Sequence, residues 1–217
     1  MEPNFTPCQL TQCKVYAKLY TVSSGDPQTR KLIIDKTWYL LEKRKGQDVK
    51  ISDIARAAGV SRQAVYLHFG SRAELLIATA RHVDEMKHLD ERLEAINKST
   101  NGLEALESYI DFWGNYIPEI YGLAKALLAV RDTDEAAAAA WNDRMRDVYC
   151  GWQVVVDCLR RDGLLAAEWE PEQAADTLWA MTSIAVWENL VLERGWSTSE
   201  YVSRMKVALK RMLIEPQ

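Results

Sequence analysis

The stretch from Ile51 to Leu76, ISDIARAAGVSRQAVYLHFGSRAELL, leaves this chain the fewest options. Ile54, Ala55 and Ala58 mark one apolar face of a short helix, with Ser52 placed to cap its start. Gly59-Val60 then interrupts the pattern, and glycine accepts the left-handed backbone that a tight turn after a helix needs. Ser61 can cap a second short helix, on which Val65 and Phe69 fall four apart and face inward. Arg62, Gln63, Tyr66 and His68 are left for the outward faces, and Gly70 is expected to end the helix. Ser71 with Glu74 three residues later makes a capping box that opens a third helix. Two short helices joined by a glycine-containing turn are the helix-turn-helix signature, whose second helix enters a DNA major groove.

The run IARAAGVSRQAVYLHFGSRAELL resembles the DNA-binding domain of the TetR family of bacterial transcriptional regulators. The resemblance rests on IA before the turn, GVS at the turn, VYLHF on the recognition helix and SRAEL opening the next, and it is continuous over about Pro27 to Val83. It implies an all-α chain: an N-terminal three-helix helix-turn-helix DNA-binding domain, then a C-terminal helical ligand-binding and dimerisation domain. Side-chain chemistry suits Gln63 to adenine, Arg62 to guanine or a phosphate, and Ala64 to a thymine methyl. The resemblance implies phosphate contacts from Ser52, Ser61, Tyr66 and His68. Ser71 and Arg72, at a helix start, are expected to hold the DNA backbone; the family more often has Lys at the second of these.

Charge is distributed in the same sense. The whole chain carries a formal net charge of −4. Between Pro27 and His82, however, eleven Lys and Arg stand against five acids, so a basic segment is attached to an acidic remainder. That asymmetry suits a phosphate-facing head on a body with another task.

Three domains are expected: residues 1–26 as a flexible N-terminal arm, 27–82 as the DNA-binding domain, and 83–217 as the ligand-binding and dimerisation domain. Helix one should run from Pro27 to about Lys45, capped by Asp26, with Ile33, Thr37, Leu40 and Leu41 inward. The helix opening at Ser71 should continue to Leu93 or Ile96. Beyond it the periodicity predicts helices over Leu103 to Ile117, Glu119 to Val130, Thr133 to Arg161, Pro171 to Arg194 and Ser197 to Leu213, with Pro118 separating the first two.

The body is rich in large aromatics, which suits helices enclosing an apolar cavity. Trp113, Tyr116, Tyr121, Trp152 and Trp179 are the wall candidates for a small lipophilic or aromatic effector, and Glu107, Asp111 or Asp157 could favour a cation. Tyr201, Met205, Ala208, Leu209 and Met212 form an apolar stripe, as do Leu178, Met181, Ala185 and Leu192. The resemblance implies a homodimer through these last two helices. Two recognition helices about 34–36 Å apart would then read a palindromic double-stranded operator.

Other classes find little support. There is no glycine-rich phosphate loop, GxSxG or HExxH, and His68, His82 and His88 have no metal-like partners, so no enzyme, cofactor or metal is expected. No apolar run approaches the roughly 20 residues that span a bilayer, and the start lacks a secretory pattern, which points to the cytoplasm and no membrane partner. Cys8, Cys13, Cys150 and Cys158 fit free thiols; the last two, eight apart on one helix, are too distant to bond each other. The expectation is a ligand-released repressor. The same residues are compatible with a co-repressor-dependent regulator or activator, or with an interaction module that does not bind DNA.

Overall fold

The computed structural model describes residues 26–214. Apart from Asp26, the arm expected over residues 1–26 lies outside the described residues, as do Cys8 and Cys13. The elements are α1 (Pro27–Lys43), α2 (Ile51–Ala58), α3 (Arg62–His68), α4 (Arg72–Met86), α5 (Leu89–Asn97), α6 (Gly102–Arg131), α7 (Glu135–Arg161), α8 (Pro171–Met181), α9 (Ile184–Trp187) and α10 (Thr198–Leu213). Among the described residues there is no strand, only an isolated antiparallel bridge between Leu165 and Ile214. The chain is all-α. No helix among these residues is long and apolar enough to cross a membrane.

The described residues divide into two compact units, one of 26–89 and 119–144, the other of 90–118 and 145–214. In the first, α1 buries Ile33, Ile34, Thr37 and Leu41. The Asp26 carboxylate caps α1, accepting from the Gln28 and Thr29 N–H groups at 3.3 and 2.9 Å. His82 Nε2 lies 2.9 Å from Asp35 Oδ1 and ties α4 to α1. Arg144 makes a two-pronged pair with Asp84, one prong at 3.1 Å, and Lys87 lies 3.2 Å from Glu119.

The end of α1 meets the later part of α6 backbone to backbone. A Cβ on Gly46, whose φ is +77°, would sit 2.5 Å from the Gly122 carbonyl oxygen. A Cβ on Gly122 would collide with the Leu41 carbonyl. At the same place the Glu42 carboxylate accepts from the Gly122 and Leu123 N–H groups at 3.0 and 3.2 Å.

In the second unit, Lys206 and Lys210 of α10 pair with Asp111 and Glu107 of α6 at 2.5 and 2.6 Å. The Trp169 indole N–H donates to the Met212 carbonyl at 2.8 Å, satisfying one of the acceptors left open at the end of α10.

Several boundaries differ from those read in the sequence. The helix opening at Ser71 stops at Met86, because His88 takes φ +50° and turns the chain into α5; neither Gly nor Pro marks that break. Pro118, expected as a stop, lies inside α6. A proline removes one helical N–H and crowds the carbonyl four residues back. Here tertiary hydrogen bonds hold the backbone on either side: Trp113 is anchored through its indole, and the Gly122 and Leu123 amides are held by Glu42. The helix expected over Pro171 to Arg194 breaks at Thr182–Ser183, where Ser183 caps α9, and then runs on as a π-helical segment Glu188–Glu193. Cys150 and Cys158 are disulfide-bonded rather than free thiols. Spacing within one helix excludes a bond between them and carries no signal of any other bond.

Within the stripe expected at the dimer contact, Tyr201, Met205 and Leu209 are buried in their own unit, Ala208 is exposed and Met212 is half-buried. The large apolar groups left at the surface of α8 and α10 are Trp179, 39 % exposed, and Val207, 45 % exposed.

Two measurements follow from the contact between α1 and α6. Gly122→Ala should destabilise the protein by about 2–3 kcal/mol through overpacking. Gly59→Ala, with open space around it and φ +68°, should cost only about 1–2 kcal/mol of backbone strain. Urea denaturation of both variants checks the order. The second concerns Glu42, whose carboxyl is pushed above the ordinary range by burial, against the pull of two amides and Lys87. A raised folded pKa contributes stability below the unfolded pKa that is lost as pH rises through the folded value. Denaturation between about pH 4 and pH 7 should therefore show Glu42→Gln gaining stability relative to the parent as pH rises.

Candidate functional site

The α2–turn–α3 element is built from caps and a small core. The start of α2 is held by Asp53, whose carboxylate accepts from the Lys50 N–H at 3.3 Å; Ser52, expected as the cap, sits inside the first turn. Arg44 donates to that same carboxylate at 2.9 Å and to the Asp48 carbonyl at 3.0 Å, which fixes the α1–α2 loop. The Arg44 hydrogen bond is the main reason the Asp53 carboxyl lies below its usual range. Gly59 ends α2 in the left-handed region at φ +68°. Ser61 Oγ accepts from the Ala64 N–H at 3.0 Å and starts α3.

α3 ends at His68, two residues before Gly70, with Phe69 as an extended C-cap. Val65 and Phe69 are buried, and the Arg30 guanidinium lies 4.9 Å from the Phe69 ring centre. Ser71 Oγ accepts from the Glu74 N–H at 3.1 Å as expected, but the Glu74 carboxylate reaches the Gly70 N–H at 2.8 Å instead of completing the box on Ser71.

With the inner face of α3 fixed, its outer face presents Arg62, Gln63 and Tyr66, the last 44 % exposed. Ala64 and His68 are half-buried beside it. Packing beneath the helix therefore does not account for Tyr66. Leu67, 66 % exposed, was not singled out in the sequence. Its signal was available: it lies four residues after Gln63 and so shares its face. Ser52, Ser61, Ser71 and Arg72 flank this surface at helix starts. Arg72 is turned partly inward, donating to the Val49 carbonyl at 2.5 Å, and burial lowers its pKa.

The aromatic wall candidates are distributed between the units. Trp113, Tyr116 and Trp152 are buried in the second unit, where Tyr109 and Phe112 link them. The Trp113 indole N–H donates to the Thr182 carbonyl at 2.7 Å, an acceptor made available by the end of α8. Tyr121 is buried in the first unit, and Trp179 is at the surface of α8. Glu107 and Asp111, expected as attractors for a cation, are taken up by Lys210 and Lys206; Asp157 is exposed and paired with Arg160 at 3.1 Å. Tyr109 and Phe112 were not among the wall candidates because an aromatic on a helix reads as core until its neighbours are known.

Comparison with known proteins agrees with this geometry. Residues 33–79 match the family model described as bacterial regulatory proteins, tetR family. The HTH-type transcriptional repressor LfrR of Mycolicibacterium smegmatis is 27 % identical over 164 residues, covering 73 % of this chain and 78 % of that protein. Among solved structures, a transcriptional regulator from Saccharomonospora viridis in complex with choline superposes with a TM-score of 0.75 at 16 % identity, over 88 % of this chain and all of the other. The regulator FadR of Bacillus subtilis in complex with stearoyl-CoA gives 0.65 at 16 % identity, over 85 % and 97 % of the two chains.

Arg62 and Arg72 should separate experimentally. Arg62→Ala should leave the melting temperature unchanged and reduce the salt dependence of DNA binding by about one unit of slope. Arg72→Ala should lower the melting temperature, since it removes the tie to Val49. Thermal melts and DNA titrations at several salt concentrations read both effects.

Proposed function

The chain belongs to the TetR family of bacterial transcriptional regulators, and on that footing we propose that it is a repressor that binds a palindromic operator as a homodimer and is released by a small-molecule effector. The observation that carries the reading is α3. Its Val65 and Phe69 are locked inward while Arg62, Gln63, Tyr66 and Leu67 stand outward, which is the arrangement a helix needs to lie in a major groove. Gln63 reads adenine, Arg62 reads guanine or holds a phosphate, and Ala64 with Leu67 offers apolar contact to thymine methyls. Tyr66, His68, Ser52, Ser61 and Ser71 hold the DNA backbone, with Arg72 acting mainly by fixing the α1–α2 loop.

One recognition helix reaches few base pairs, so two copies are required. Trp179 of α8 and Val207 of α10 supply exposed apolar surface for that contact. The effector acts by linkage: it binds the DNA-incompetent conformation better, by the factor by which it weakens operator binding. The related structures hold ligands as different as choline and stearoyl-CoA, so the fold leaves the effector's chemistry to the side chains. Of the five aromatic wall candidates, Trp113, Tyr116 and Trp152 share one aromatic cluster.

Selection of random duplex DNA by the purified protein at two salt concentrations tests the reading. An enriched palindrome with half-sites about one helical turn apart and a steep salt slope is the expected result. Enrichment of single half-sites would remove the dimer. No enrichment, with or without cell extract as a source of co-repressor, would remove the operator itself.

A further inference from the structure

The rotation of α3 about its own axis is set by the buried Val65. At about 100° per residue, Gln63 and Leu67, two residues before and two after it, each lie about 200° round the helix, opposite the buried side. Both are exposed, and Leu67 at 66 % is the most exposed large apolar side chain among the described residues. The other exposed side chains of α3, Arg62, Gln63 and Tyr66, end in hydrogen-bonding groups. Leu67 has neither donor nor acceptor. Ala64 is half-buried and offers a single methyl group. A lone exposed leucine on an ordinary surface needs no explanation. One that shares its face with Gln63 enters whatever groove Gln63 enters.

The geometry points to Leu67 as the specificity-determining residue that reads the methyl group on C5 of a pyrimidine, whether the base is thymine or 5-methylcytosine. This rests on the operator-binding reading above and names the base chemistry that the recognition helix selects. In the major groove the base edges present polar atoms, and the C5 methyl of thymine is their apolar feature. Pressed against a carbonyl or amino edge, a leucine displaces water from a polar group and returns no hydrogen bond, which is unfavourable. Pressed against a methyl group, it removes apolar surface from water on both sides. Leucine cannot tell a carbonyl from an amino group at C4, because it bonds to neither. Thymine and 5-methylcytosine are therefore favoured alike at this contact, and uracil and cytosine lose the same amount. The paired purine is read separately, by the polar side chains of the same face. An operator with cytosine at the contacted pair gains affinity when that cytosine is methylated at C5. Enzymatic base methylation is then a second input to operator binding, independent of the effector.

The test uses the full chain and the operator enriched in the selection described above. Synthetic duplexes carry thymine, uracil, cytosine or 5-methylcytosine at each pair of the half-site in turn, placed symmetrically in both half-sites. The comparisons of thymine with uracil, and of 5-methylcytosine with cytosine, each change the methyl group and leave the paired purine as it was. At one pair both ratios of affinity should be about fourfold per half-site, or roughly fifteenfold for the symmetric duplex, as expected for one methyl group removed from water. In Leu67→Ala, which should melt with the parent because the side chain is exposed, both ratios at that pair should fall to about one. Leu67→Gln, polar and of similar length, should do the same. A thymine-to-uracil ratio without its 5-methylcytosine-to-cytosine counterpart, or ratios that persist in both variants, would overturn the proposal. An enriched operator with no methyl-dependent pair overturns it alone. No enriched operator overturns it together with the operator reading on which it rests.

Discussion

The unit that carries α1 to α4 is referenced to one place where two backbones touch. Gly46 and Gly122 have no side chain between them, and the Glu42 carboxylate bridges the same contact by gripping two amides of α6. A backbone contact has no rotamers with which to absorb a displacement, unlike a layer of side chains. α1 therefore follows the segment after Pro118 as one piece. α4 follows as well, tied to α1 by His82 and Asp35 and to residues 119 and 144 by Lys87 and Asp84. The recognition helix inherits its position from α1, α2 and α4 through Val65, Phe69 and the Arg72–Val49 bond.

The head was legible because its signals are local. Gly59 needs a left-handed backbone, Ser61 and Ser71 bond amides three residues on, and Val65 and Phe69 repeat at a helical interval. Each of these is settled within a few residues. The body was less legible for the converse reason. Pro118 reads as a stop until the partners that hold α6 on either side of it are known, and those come from residues 69 and 80 positions away along the chain. The break at His88 has no Gly or Pro to announce it. The stripe on α10 is the same whether it closes a core or meets a partner, and only packing decides.

Charge shows a parallel division. The basic surplus of the head was visible as composition; the structure adds that Lys31 and Arg44 sit beside their acids Asp35 and Asp53 at the surface, while Arg72 turns to a carbonyl. In the body, Glu107 and Asp111, which looked available to a ligand, are balanced by lysines of α10, and Asp157 is paired with Arg160.

The bond from the Trp113 indole to the Thr182 carbonyl joins two irregularities that could not have arisen separately without penalty. A continuous helix through Thr182–Ser183 would engage that carbonyl in its own ladder and leave a buried indole N–H with a shared or lost acceptor. A break without the tryptophan would leave a buried carbonyl unsatisfied instead. Among descendants of a common ancestor, the residue at position 113 and the shape of the chain at 182–183 are therefore bound to change together. The order in which those changes occur decides which intermediates are stable enough to persist.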